Sequence, residues 1–538
     1  MDVWSWICEL PDSEKWSTTE NDDNSSITYN LATSITNSNQ SIQFKAEKKL
    51  EPNSETINSS LVFSICLLGF HDTSQEEVTV WVSDTCPLSS DKPFLPLVLQ
   101  LLQEIISCSP TAHGSTCPRS QLQKLQPDPV LWIFDSHSPE SFSNFFNLIF
   151  LTRLFWMLAF DAPPAVGSLY FHSLLAPNLE AFSCKHAPVL RTFFISVGTD
   201  VELCFMRTFG YMLAKWLILR EVNGVGLKSL TPLAPHYLGF SYATEAHGLW
   251  ILKGYAPVKA MKTRRMNIDN FQFPVVESKE IALKYTLAHQ QLEAVIQFEY
   301  TVGFYDGFIQ VRARLDNIRL GVARLGFNKN DDDEDSYLQE KHFPSRIRVW
   351  VGPEVGANYV GGLSLGRSTN NVEREFEMQR VLKGNFGNSK QSEVKTRAKM
   401  ATKSKLKNWR WDQEAEGNAV VYEAILCDHV SGCEIATWKP VNGDEKNNQL
   451  MNNFRGRYFG GNRAFTKKGG LVFAGEECGE EVGWRLSKEM EGSVLKWRVG
   501  GQVWLSYWPN NVRSSYNDTR LVEWCDEVDL PLIPGKIF

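Results

Sequence analysis

Residues 294–315 read Ala-Val-Ile-Gln-Phe-Glu-Tyr-Thr-Val-Gly-Phe-Tyr-Asp-Gly-Phe-Ile-Gln-Val-Arg-Ala-Arg-Leu, and this stretch decides the fold. Ala294, Ile296, Phe298, Tyr300 and Val302 recur at every second position. That is the period of a strand with one buried face. Asp306-Gly307 is a turn signal, because glycine accepts positive φ. Ile309, Val311, Ala313 and Leu315 then lead back, with Gln310, Arg312 and Arg314 on the other face. The segment predicts a β-hairpin.

The same period extends upstream through Ile281, Leu283, Tyr285 and Leu287. Downstream it predicts strands at 345–352, 394–411, 419–427, 433–439, 494–499 and 502–508. Gly500-Gly501 reads as the hairpin turn between the last two. Successive hairpins without intervening helices imply an antiparallel sandwich or open barrel, not a parallel sheet. The β-rich domain is assigned to 245–538.

Upstream of about 240 the texture differs. Residues 1–60 are polar and predict a weakly ordered segment, with candidate edge strands at Ile27–Leu31 and Ile42–Phe44. Residues 61–240 predict a mixed α/β domain. Leu61–Phe70 and Val78–Val82 read as a strand pair, Pro96–Ile106 as a helix and Val130–Phe134 as a buried strand. Two long apolar helices follow, at 140–160 and 200–222. Thr199 and Glu202 fit a capping box at the start of the second, and Asn223-Gly224 its end. Both helices are apolar on nearly all faces, which suits a core helix or a membrane span. Asn147 and Arg153 interrupt the first, Arg207 and Lys215 the second, and a charge in a span costs about 2.5–3.5 kcal/mol. The fold class is α+β: a mixed, helix-rich N-terminal domain, then a large antiparallel β domain.

At 538 residues the chain is too long for one ordinary core. A composition of 43% hydrophobic and 22% charged residues excludes a disordered, collagenous or polytopic membrane chain. The net charge of −7 excludes a simple polycation. Eleven cysteines, an odd and dilute set, do not make a disulfide scaffold. Residues 1–10 have no secretory pattern, so a reducing interior, cytoplasm or nucleus, is expected.

No phosphate-loop, dinucleotide, kinase, H-E-x-x-H or zinc-deaminase signature is present. Gly362-Leu-Ser364-Leu-Gly366 matches G-x-S-x-G, with His429 downstream and Asp412 or Asp428 as third member. A nucleophile elbow needs a strand before the serine and a helix at once after it, and both flanks are poor. Cys427, His429 and Cys433 surround one turn, but a zinc site needs four ligands, so two packed thiols are favoured over metal. Asp331–Asp335 lacks the glycine of a calcium loop and reads as solvated. No cofactor and no metal are expected.

The basic pattern stands out most. Lys395, Arg397, Lys399, Lys403, Lys405 and Lys407 occupy odd positions, so a strand collects them on one face. Arg312 with Arg314, and Arg346 with Arg348, share this spacing. If these strands adjoin, one sheet face becomes a cationic plate for an anionic partner: nucleic acid, anionic lipid or acidic protein. Glu373, Glu375 and Glu377 would offset it if 371–383 is a strand, and would not if it is a helix. Nine of 17 tryptophans lie beyond 345. Trp497 shares a face with Leu495 and Val499 and is assigned to core, while Trp504 and Trp508 are candidates for an exposed pair.

The expected function is a non-enzymatic intracellular binding or scaffold protein using the basic face. The alternatives are a serine hydrolase using Ser364 and His429, and a membrane-associated protein acting through helices 140–160 and 200–222.

Overall fold

The computed structural model describes residues 2–10, 26–35, 38–50, 59–70, 77–109, 125–160, 164–179, 188–223, 239–258, 290–325, 342–367, 374–386, 394–406, 409–427, 434, 465–466, 470–507 and 518–534. Two compact units emerge. One comprises Met1–Phe240, Tyr255–Gln291 and Ala323–Asn330, the other Ser241–Gly254, Leu292–Val322 and Asp331–Phe538. Helices concentrate in the N-terminal half and antiparallel strands in the C-terminal part, so the chain is α+β.

The first unit holds strands β1 (Ser26–Thr33), β2 (Ser41–Leu50), β3 (Ser59–Leu68), β4 (Val78–Val82) and β5 (Cys86–Pro87). They form an antiparallel sheet in the order β1-β2-β3-β4, with β5 also paired to β3. Its helices are α1 (Val3–Cys8), α2 (Leu95–Ser107), α3 (Pro127–Ser136), α4 (Pro139–Phe155), α5 (Pro164–Leu169), α6 (Ala176–Asn178), α7 (Pro188–Val197) and α8 (Thr199–Asn223). Helix α2 buries Leu97, Val98, Leu101, Leu102, Ile105 and Ile106, one face at helical spacing. The expected strand at 130–134 is instead part of α3. Pro127 and Pro129 suit a first helical turn, and the buried Val130 and Ile133 lie three apart, on one helical side. A five-residue apolar run has no period of its own to separate the two states.

Both long apolar helices pack inside this unit. On α4, Asn147 accepts the backbone N–H of Val3 at 3.3 Å, and Arg153 pairs with Glu104 on α2. Glu104 also accepts the Trp81 indole N–H at 3.0 Å. The two polar interruptions are thus used internally. Among the described residues one helix, Pro139–Ala159, is long and apolar enough to cross a membrane, and 72% of its apolar window is buried. On α8, Thr208 donates to the Ile105 carbonyl of α2, and Phe205, Met206, Met212 and Ala214 are buried. Glu202 in the first turn of α8 is buried, and its carboxylate accepts the Tyr255 hydroxyl.

The second unit continues with β6 (Phe240–Ala246), β7 (Leu249–Val258), β8 (Gln290–Phe304), β9 (Phe308–Arg324), β10 (Phe343–Pro353), β11 (Val360–Ser364), β12 (Arg374–Phe386), β13 (Val394–Leu406), β14 (Trp409–Glu416), β15 (Ala419–Leu426), β16 (Leu471–Ala474), β17 (Val482–Ser487), β18 (Val494–Tyr507) and β19 (Asp518–Pro531). One sheet runs β11-β17-β9-β8-β7-β6 with β16 also on β9, and the other runs β14-β15-β10-β18-β19. They face each other as a sandwich. Trp497 of β18 meets Trp484 of β17 edge-on at 5.1 Å and stacks with Trp250 of β7 at 5.8 Å, and Phe473 of β16 meets Trp411 of β14 at 4.8 Å. Trp497 is therefore core, with Leu495 and Val499. The Asp306-Gly307 turn joins β8 to β9, closed by the Tyr305 N–H donating to the Phe308 carbonyl at 3.0 Å.

Two strand expectations change. Positions 494–499 and 502–508 are not a hairpin, because β18 runs through Gly500-Gly501 from residue 494 to 507. Glycine is needed there for close approach: a Cβ on Gly500 would lie 2.1 Å from the Trp350 ring, and one on Gly501 2.8 Å from Ile296. The stretch 394–411 is two strands in different sheets, β13 and β14. Residues 281–287 lie outside the described residues, as does 433–439 except Glu434, which bridges to Cys427.

Candidate functional site

Strands β12 and β13 form a two-stranded sheet of their own, and among the described residues neither hydrogen-bonds to any other strand. Residues 371–383 are thus strand from Arg374 onward, not helix. The pair is antiparallel and runs in register from Arg374↔Leu406 to Phe386↔Val394 without a bulge. Residues directly opposite share a face. One face collects Glu375↔Lys405, Glu377↔Lys403, Gln379↔Ala401, Val381↔Lys399, Lys383↔Arg397 and Asn385↔Lys395. The other collects Arg374↔Leu406, Phe376↔Ser404, Met378↔Thr402, Arg380↔Met400, Leu382↔Ala398, Gly384↔Thr396 and Phe386↔Val394. The ribbon is amphipathic, with two arginines on the less polar face, Arg374 at its end and Arg380 near its middle. Lys407 lies outside the described residues.

The cationic plate does not form. Strands β9, β10 and β13, which carry the three basic sets, belong to three different sheets. Arg314 pairs with Glu299 at 2.5 Å, Arg346 with Glu423 at 2.6 Å and Arg348 with Glu416 at 3.2 Å, while Arg312 stands 3.8 Å from Glu481. On the ribbon, Glu375 and Glu377 stand opposite Lys405 and Lys403. Sequence spacing showed the cations but not the carboxylates that the sheet order brings to them. Glu299, Thr301, Arg314, Gly475, Gly479, Glu480 and Glu481 line a cleft of about 650 Å³.

Ser364 ends β11 opposite Gly483 of β17 and is exposed. Leu365–Arg367 continue without secondary structure, so the strand–serine–helix geometry of a nucleophile elbow is absent. His429, Cys433, Asp331–Asp335 and Trp508 lie outside the described residues. Cys427 is buried, and among the described residues no group of three or more His, Cys, Asp or Glu is placed to hold a metal. Trp504 is half-buried rather than open, with the Arg346 guanidinium over its ring at 5.0 Å. What sequence reasoning passed over is the less polar side of β12. Phe376, Met378 and Leu382 alternate there, a signal hidden by the charged residues between them.

No family model matches the sequence, and no curated protein matches it. Comparison with solved structures returns the Clostridium perfringens NetB toxin in its membrane-inserted form, at 8% identity over 54% of this chain and 93% of that one, with a TM-score of 0.18. It also returns Clostridium perfringens delta-toxin, at 7% identity over 54% of this chain and 96% of that one, TM-score 0.21. A pore-forming protein follows at 7% identity, covering 53% and 94%, TM-score 0.19. At these TM-scores the likeness carries neither fold nor mechanism to this chain. The expected cytoplasmic or nuclear scaffold with an anionic partner is corrected: the structures returned are titled as toxins and a pore-forming protein, and the three basic sets fall in three different sheets, which removes the physical ground on which it stood.

Proposed function

We propose that this protein acts on membranes, and that the β12–β13 ribbon is the element that enters the bilayer. The observation that carries the reading is the unbulged ribbon with unlike faces, which among the described residues pairs with no other strand. Alternation of this kind, polar on one side and lipid-compatible on the other, is the pattern of membrane-spanning β-strands. A spanning strand needs about 9–11 residues, and each strand here has 13. The apolar helices do not serve, because they fill the core of the first unit.

A lone ribbon leaves two edges of backbone N–H and C=O groups unpaired. In hydrocarbon each such group costs several kcal/mol, so the ribbon enters only when its edges pair with those of other copies in a closed barrel. Oligomerisation is therefore part of the proposal. Two arginines lie on the less polar face: Arg374 at the strand end, where the cost is small, and Arg380 in the middle, where it is roughly 2–4 kcal/mol at midplane.

Dye release from lipid vesicles tests this. The wild-type chain is expected to release the dye. The double variant Leu382→Asp, Met400→Asp, which puts carboxyls on the less polar face, is expected to lose release while keeping its circular dichroism. Full release by the double variant, or none by the wild type at micromolar protein, overturns the reading.

A further inference from the structure

The charges on the polar face of the ribbon are not evenly spread. Near its root, where β12 begins and β13 ends, Glu375 and Glu377 stand opposite Lys405 and Lys403, and the charges balance. Toward its tip, Lys383 stands opposite Arg397, Asn385 opposite Lys395 and Val381 opposite Lys399. That half carries four cations and no carboxylate. The whole face has six cations against two carboxylates, a net +4 per ribbon.

We infer that the pore passes small inorganic anions in preference to cations, and that the tip half of the ribbon sets this preference. The inference rests on the membrane role proposed above. When such ribbons close into a barrel with their less polar faces toward lipid, their polar faces line the lumen. Every ribbon then contributes Lys383, Lys395, Arg397 and Lys399 to the same narrow band. Rings of Arg and Lys select anions, because like charge raises the barrier to cations while counter-ions accumulate in the low-dielectric channel. The balanced root half adds little field of its own. Selectivity therefore follows the tip and not the total number of basic residues, and it weakens at high salt as screening shortens the reach of the ring.

Single-channel recording in a planar bilayer under a potassium chloride gradient reads this. The wild-type chain is expected to give a reversal potential of anion sign, with chloride several-fold more permeant than potassium. The variant Lys383→Gln, Lys395→Gln, Arg397→Gln, Lys399→Gln is expected to conduct with that preference lost. The root variant Glu375→Gln, Glu377→Gln, Lys403→Gln, Lys405→Gln is expected to keep it. Channels that are unselective or cation-selective in the wild type, or a tip variant that keeps its anion preference, overturn the inference while leaving the membrane role standing. Absence of any conductance from the wild type overturns the membrane role itself, and this inference with it.

Discussion

Glu104 shows how one residue changes the meaning of a helix. Its carboxylate receives Arg153, the Trp81 indole N–H and the Gln100 side-chain amide at 2.9 Å. An arginine that would be costly in a membrane span is satisfied here by a carboxylate two helices earlier in the chain. No local spacing announces that partner. Cys86 makes the opposite point about reactivity. It is fully buried, and burial pushes its thiol up to about 12. The thiolate is the reactive form, so Cys86 stays protonated and inert well above neutral pH. In the native protein it is expected to resist iodoacetamide at pH 8 and to react once guanidinium unfolds the chain, as peptide mass mapping would read. Rapid native labelling at pH 8 would show that the thiol is not held in the core.

At the scale of elements, the long two-period hairpin β8–β9 was legible because its buried and exposed positions alternate cleanly on either side of Asp306-Gly307. Helix α2 was legible for the same reason at helical spacing, and α4 and α8 by the length of their apolar runs. Val130–Phe134 was not, since a short apolar run fits strand and helix alike. Gly500-Gly501 misled for a different reason. Two glycines mark a turn when the chain needs positive φ, but here they make room for the Trp350 ring and Ile296 across β18. Gly500→Ala is expected to cost about 1–3 kcal/mol through overpacking. Gly362→Ala, where a Cβ meets nothing within 4 Å, is the matched control and is expected to be nearly neutral. Urea denaturation compares them, and equal stability of the two variants would contradict the close-approach account. The ribbon was half legible: its basic positions were visible, whereas its pairing with β12, and with no other strand among the described residues, comes only from long-range register.

At the scale of the molecule, the sandwich ties two of its edge strands together. Edge strand β19 holds edge strand β6 through Asp526, whose carboxylate accepts the Ala243 N–H at 2.6 Å, and through the Ser241 hydroxyl, which donates to the Cys525 carbonyl at 3.5 Å. Among the described residues the ribbon's outer edges are paired to no strand, and a two-stranded sheet alone is marginal in water. On the proposed reading, the ribbon's edges pair with those of copies beside it in lipid. Hydrogen–deuterium exchange of residues 374–386 and 394–406, in buffer and with vesicles, tests this most directly. The account predicts that exchange of these amides slows by about a hundredfold or more on adding vesicles, as the free edges pair and dehydrate, while the sandwich strands are unchanged. Unaltered exchange of the ribbon in protein pelleted with the vesicles would contradict it.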